Sequence, residues 1–414
     1  MSSSDRLSHF SLKQEAVTFE PSRHAGLQRL GQFKPRAGAH YANQRNFDLG
    51  SDNRSTVSGL SPWIKHRLVD EKEVLAEVFS VHDLSASMKF VQEVFWRGYF
   101  KGWMQQRPSV WHYYKSNLKL AFEGLERDLS RKADYVEATK GRTGISCFDH
   151  WCSELKSTGY LHNHARMWFA SIWIFTLRLP WELGADFFLN HLIDGDPAAN
   201  TLSWRWVGGL HTKGKTYLAC PSNIAKFTEG RFEPIGQLST TAEPLTEEVD
   251  HSLVPLMPVQ PMPEGDFLLL ITPEDCQPNT FIEAQPAGVL GLLPASNSHQ
   301  SEKVQAFAQG AVADALSRFE HLTSPATATN NWVEHLVEAT RLAGTTQIVT
   351  SLATLGPVAS HLDAAKARLA EHGISLHQHQ RTYDGLVWPH ATKGFFNLKK
   401  KIPTVLTDLG FVMQ

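Results

Sequence analysis

The hydrophobic rhythm of this 414-residue chain changes once, and that change limits the fold more than any single motif does. Up to about residue 232, apolar residues recur at helical spacing in Val69–Phe79, Phe90–Met104, Gly144–Thr158 and His164–Arg178. Shorter helices are expected at Trp181–Leu192 and Asn223–Thr228. Ser61-Pro62 is a helix-opening pair and is expected to introduce the first of these. No strand-like alternation of any length interrupts this part. From Pro234 to Gly265 the rhythm collapses into a stretch dense in Pro, Thr and Glu, which reads as a linker touching its neighbours through scattered Leu and Val. Short apolar runs follow at Phe267–Ile271, Gly288–Leu293, Gln347–Thr350 and near Ile374–His377. Amphipathic stretches separate them, at Glu302–His321, Asn331–Ala343 and Val358–His372. Strands alternating with helices of that length imply a parallel sheet covered on both faces. The expected architecture is an all-α domain over 1–235, a linker over 236–263 and an α/β parallel-sheet domain over 264–414.

Composition narrows the function classes. With 42% hydrophobic and 20% charged residues the chain has an ordinary globular balance. Its net charge of -2 conceals a split: residues 1–240 carry 30 Lys/Arg against 24 Asp/Glu, residues 241–414 carry 10 against 18. The first part is mildly basic and could face a polyanion, but it is far from a strongly basic nucleic-acid-binding domain. No apolar run approaches a membrane span and the first residues hold no apolar signal core, so a cytoplasmic location is expected. The four cysteines lack paired spacing, which argues against a disulfide scaffold or a metal cluster, and Cys147 and Cys152 read as free core thiols. The 12 Trp are about twice average usage, and ten lie in the first half. So many rings with an N–H to satisfy suit a site that stacks a planar ligand or moves electrons between rings.

The chemistry-bearing residues concentrate between Tyr160 and Trp206. Asn163 and Arg166 are three apart on an expected helix and share a face. Asp194-Gly-Asp196 is followed by Asn200 and by Trp204 and Trp206, which point in different directions. Alone, the acidic turn could be a capped helix start, a Mg²⁺ or Ca²⁺ site through Asp194, Asp196 and Asn200, or an organic-ligand site; the twelve-residue calcium-loop pattern is absent. No glycine-rich dinucleotide fingerprint follows any strand.

Four segments, Phe90–Phe100, Gly141–Ile145, Leu155–Met167 and Asp194–Trp206, resemble successive motifs of the DNA photolyase/cryptochrome FAD-binding domain, in that family's order and near its spacing. The resemblance covers roughly residues 20–232. It implies that Tyr41 and the loop of Ser58, Gly59, Leu60 and Ser61 meet the FAD pyrophosphate, with Arg97 beside it. Asn163 and Arg166 would face the cofactor, Arg166 pairing with Asp194 near the ring system. Asp196 would accept from the ring or ribitol side, and Asn200 would sit opposite flavin N5. It also implies light-dependent electron transfer from reduced FAD to cyclobutane pyrimidine dimers in UV-damaged DNA. Glu93, Trp96, Met167 and Trp206 would then hold the lesion, and Trp204, followed by Trp181, would carry electrons. The alternative is a cryptochrome-like blue-light photoreceptor or redox signalling flavoprotein, with an unknown signalling protein as partner.

Several features depart from the family pattern. The distal tryptophan of the usual electron chain has no clear counterpart; Tyr135 is the only aromatic residue from Arg131 to Lys140, leaving Tyr135, Trp151 or Trp173 as exits. Val57 stands where Thr is usual and Gly59 where Arg is common, with Arg54, Ser55 or Thr56 available to compensate. The α/β part, which in the family precedes the helical one and often holds an antenna chromophore, comes last here. Gly385–His390 and Phe395–Lys400 look like the stretch that joins those two domains, so a permuted order is expected. A second chromophore is implied without assignable residues.

Overall fold

The computed structural model describes residues 16–319 and 325–412. The first half is helical: α1 (Arg23–Phe33), α2 (Ala39–Gln44), α3 (Ser61–Lys65), α4 (Glu71–Phe79), α5 (Leu84–Gln105) and α6 (Pro108–Arg127). They are followed by α7 (Leu129–Lys140), α8 (Ser146–Thr158), α9 (Asn163–Ser171), α10 (Trp181–His191), α11 (Pro197–Val207) and α12 (Pro221–Phe227). Ser61-Pro62 opens the separate short helix α3, not the Val69–Phe79 helix. That helix, α4, starts from Asp70, whose carboxylate accepts from the Glu73 N–H while Glu73 reaches back to the Asp70 N–H. The apolar run His164–Arg178 is not one regular helix either. It leaves α9 through a wide π turn at Ile172–Thr176 and ends at Arg178, whose φ of +55° is left-handed.

Residues 234–265 form neither helix nor strand, yet they are anchored. The Leu245 N–H donates to Gly208, and Glu247 accepts both guanidinium arms of the buried Arg205. Beyond them lie β1 (Leu268–Ile271), β2 (Gly288–Pro294), α13 (Glu302–Leu316), β3 (Thr327–Thr329), α14 (Trp332–Ala343), β4 (Gln347–Ser351), α15 (Pro357–Glu371) and β5 (Ser375–His379). α13 ends before the expected boundary; His321 lies outside the described residues, as does the 1–15 stretch. All pairings are parallel, in the order β3-β2-β1-β4-β5. β3 has no sequence signal of its own: three residues of Thr and Ala, partly exposed at the sheet edge.

Strand alternation divides the sheet between two cores. Leu268, Leu270, Leu290, Leu292 and Ile348 pack with α14 and α15. Leu269, Ile271, Val289 and Val349 face α13 and join one continuous core with Leu30, Phe33, Trp63, Val91 and Phe95 of the helical half. The C-terminal helices α16 (Thr382–Val387), α17 (Phe395–Lys399) and α18 (Ile402–Asp408) belong to that same core, α16 and α17 against α5 and α18 against α16. A second helical core gathers α6 to α12.

Charged groups are buried where the halves meet. Open parallel sheets commonly take ligands in the crevice beyond the carboxyl ends of strands at a switch in strand order, here beside β1 and β4. That place is filled by ion pairs. Arg381 grips Asp275 at 2.6 and 2.7 Å, Arg67 meets Asp384 at 2.6 Å, and Lys65 meets Glu274 at 2.9 Å. Burial alone would raise Asp275, but Arg381 and Arg67 outweigh it and hold the carboxyl at about 2.

Candidate functional site

The loop between α10 and α11 brings Asp194 and Asp196 into the helical interior. Asp194 Oδ2 accepts from Ser61 Oγ at 2.5 Å and from Arg166 Nη2 at 2.8 Å. Arg166 also donates Nε–H to the Leu161 carbonyl, and its guanidinium lies over one side of the Tyr160 ring, at 5.0 Å, with that of Arg54 at 4.4 Å. Ser61, Arg166 and Asp194 thus meet although they are separated by more than a hundred residues at the extremes. Asp196 caps α11 by accepting from the Ala199 N–H, and Lys101 of α5 stands 3.5 Å from its other oxygen. Burial would raise the Asp196 carboxyl; Lys101, then Arg97 and Lys65, hold it down at about 2. Asn200 is buried beside it and donates its amide to the Ala185 carbonyl.

Other sequence-assigned residues are placed less simply. Asn163 starts α9, is exposed, and turns its amide toward the Met167 sulfur instead of sharing the contact of Arg166 with Asp194. Tyr41 is buried edge-on against Phe33 and Phe90. Ser61 Oγ is committed to Asp194. Ser58, Gly59 and Leu60 precede α3, with Gly59 left-handed at φ +64°. The residue missed by sequence reasoning is Arg29 of α1. It donates to the Ser58 and Val57 carbonyls at 2.6 and 3.1 Å, and its Nε lies 3.6 Å from where a Cβ on Gly59 would stand. A cation from α1 therefore occupies the surroundings of the glycine at 59, and no local spacing around Val57 announces it.

The rings around Trp204 are arranged differently from the expected order of Trp204 and then Trp181. Trp204 is buried with its indole N–H unpartnered. Its ring neighbours are Phe188 at 5.1 Å and Trp173 at 6.2 Å, and Trp173 continues to Tyr135 at 6.1 Å. Trp181 instead packs on Tyr114 at 5.5 Å. Of the residues assigned to a lesion, Glu93 is paired with Arg45 at 2.5 Å, Trp96 is stacked face to face on Phe395 at 3.8 Å, and Trp206 stacks on Tyr217 at 5.5 Å. All four, with Met167, are half-buried.

The donor set suits a large polar cofactor. Asp194 Oδ1, Asp196 Oδ2, Arg97 Nε, Ser55 Oγ and Trp204 Nε1 are among the buried polar atoms without hydrogen-bond partners, and native interiors rarely leave such atoms unanswered. This group lies within the packed interior and not on either of two open clefts, of about 440 and 410 Å³, at Trp181 and at Tyr135.

The helical region is built around buried carboxylates and guanidiniums and joined to a parallel sheet. Residues 90–239 match the FAD binding domain of DNA photolyase. A deoxyribodipyrimidine photo-lyase from Synechococcus sp. is 31% identical over 201 residues, 45% of this chain and 38% of that protein. One from Escherichia coli is 30% identical over 209 residues, 49% of this chain and 42% of that protein. The chain thus spans less than half the length of these relatives. A cryptochrome crystal structure from Synechocystis sp. aligns with 52% of this chain and 45% of its own at 22% identity, with a TM-score of 0.44. The helical part of this chain is thus similar to the FAD-binding domain of the DNA photolyase/cryptochrome superfamily. Among the described residues, no helix is long and apolar enough to cross a membrane.

Proposed function

We propose that this chain binds FAD and acts as a light-driven electron-transfer flavoprotein. The observation that carries the proposal is the buried Arg166–Asp194–Ser61 group, with one Asp194 oxygen unpartnered, beside the matched motifs. In this reading Arg166 and Asp194 face the flavin ring system, where a cation paired to a carboxylate in a dry pocket tunes ring charge. Asp196, Asn200 and Asn163 complete that side. Tyr41, Ser58, Gly59, Leu60, Ser61 and Arg97 take the pyrophosphate side, with Arg29 bracing the loop carbonyls. Bound flavin supplies blue-light absorption and one-electron chemistry. The chain's own part is to bind and orient it, exclude water, and offer the ring series Trp204, Trp173 and Tyr135.

For the biological role, the geometry favours a photoreceptor or redox signalling protein without repair activity. Trp96 already has a face covered by Phe395, and Glu93 is held by Arg45. Repair of cyclobutane pyrimidine dimers is the second reading, supported by the half-buried Met167 and Trp206 and by exposed Lys213, Lys215 and Lys226 that could meet phosphates. Purified protein is expected to show near-UV and blue flavin bands, or to gain them on titration with FAD; a protein that does neither refutes the proposal. The reduced holoprotein, illuminated with a dimer-containing oligonucleotide, is expected to leave the dimers intact, and restored thymines would establish repair instead.

A further inference from the structure

Chemistry-bearing side chains converge a second time in the cleft of about 440 Å³ between α6, α7, the entry to α10 and residues 245–247, a size typical of small-molecule sites. Its inner wall is the Trp181 ring, backed by Tyr114. Next to that ring is Glu182, only 9% exposed and with no cation at ion-pair distance among the described residues; burial raises its pKa. Asn117 of α6 lines the same spot, its amide N–H donating to the Glu182 carboxylate, which leaves the Asn117 carbonyl oxygen and the rest of the carboxylate as acceptors. The other inner carboxylate, Glu247, is already matched by Arg205. The rim is opposite in sign. Arg131 has only a loose contact with Asp128 at 3.8 Å, and the exposed Arg178 has no ion pair among the described residues.

The backbone is distorted in placing that rim. The π turn at Ile172–Thr176 leads to Arg178 at φ +55°, a conformation that side-chain-bearing residues seldom adopt. Both kinds of irregularity gather at ligand sites. Packing provides no evident reason for an exposed arginine at such a point, whereas an anion at the rim would.

We propose that this cleft binds a free nucleotide of the guanine type: a planar ring whose adjacent N–H donors face Glu182 and Asn117, with its phosphate on Arg131 and Arg178. Carboxylate and amide oxygens accept the paired N–H groups, the guanidiniums match the phosphate, and Trp181 supplies the apolar wall. The assignment requires neither bound flavin nor light, so it stands or falls apart from the FAD proposal. Calorimetric titration of the full chain with guanosine monophosphate is expected to show one saturable site, roughly tenfold or more weaker for guanosine, which lacks the phosphate. Arg178→Gly, which suits a left-handed backbone, is expected to bring the monophosphate down toward the guanosine affinity and leave guanosine unchanged. Glu182→Gln is expected to weaken both. The proposal is overturned by no saturable heat at millimolar monophosphate, or by binding indifferent to Arg178→Gly; that second result is readable even if Glu182→Gln fails to fold.

Discussion

Asp194 uses one oxygen for Ser61 and Arg166 and keeps the other bare, so Asp194→Asn preserves shape while removing the charge that Arg166 faces. Loss of a charge-assisted bond of this kind costs about 2 kcal/mol; a lower urea midpoint and weaker FAD retention are the expected readings. Gly184 is constrained more tightly. A Cβ there would lie 2.3 Å from Trp204 Cη2 and 3.0 Å from Trp173 Cε2. Gly184→Ala is therefore expected to destabilise by about 1–3 kcal/mol through overpacking, measured by denaturant unfolding. The same contact bears on the ring path. In FAD-loaded protein, Trp173→Phe is expected to slow light-driven reduction as much as Trp204→Phe, with Trp181→Phe leaving the rate near wild type; the reverse order would restore Trp181 to the path. Sequence reasoning singled out Trp204 through its motif. It placed Trp181 next and kept Trp173 only among the possible exits, because the π turn that aims Trp173 depends on tertiary packing and not on spacing.

Among the elements, α5 joins the most parts of the molecule. Its apolar period was legible over Phe90–Met104, and the helix proves longer at both ends, starting from the Asp83 cap. What the period could not tell is why Gly98 and Gly102 interrupt it. A Cβ at 102 would meet the Trp388 backbone Cα at 2.8 Å, and one at 98 would meet Val387 at 2.9 Å. These two glycines form the seat for the C-terminal helices. Gly102→Ala should push Trp388 away, and faster amide hydrogen exchange over 382–408 than over α9 would register it. The boundary at the start of α4 was misread for a related reason: Ser61-Pro62 is a sound opening signal, but the left-handed Arg67 turns the chain before Asp70 opens the next helix.

For the whole molecule, the continuous core and the buried ion pairs tie the two halves together. Removing residues 264–414 would strip Lys65 and Arg67 of Glu274, Asp275 and Asp384 and uncover the apolar face packed on α13. The 1–263 fragment is therefore expected to lose near-UV circular dichroism even where helix content persists. Acid should weaken the intact chain early. Burial lowers His66 to about 3, and His162 and His211 to about 4, from an ordinary 6.5. The unfolded chain takes up these protons first, so the associated stability is complete above pH 6.5 and is lost as pH falls toward 4, by up to roughly 1.4 kcal/mol per pH unit per histidine. Asp196 and Asp275, held at about 2, add a further loss between pH 4 and 2. Urea midpoints at pH 7.5 and 5 test this, and His211→Phe should flatten the difference by one histidine's share. By itself the sequence determined the helical half and the parallel-sheet half, because hydrophobic period is a local property of the chain, and its resemblance to the family implied the Arg166–Asp194 pair. Only the tertiary structure decided that Arg29 stands beside Gly59, that Phe395 covers Trp96, that Trp173 meets the Trp204 ring edge-on, and that ion pairs fill the crevice of the sheet. Each of those joins residues from different elements, and such contacts are selected by packing and charge compensation in three dimensions.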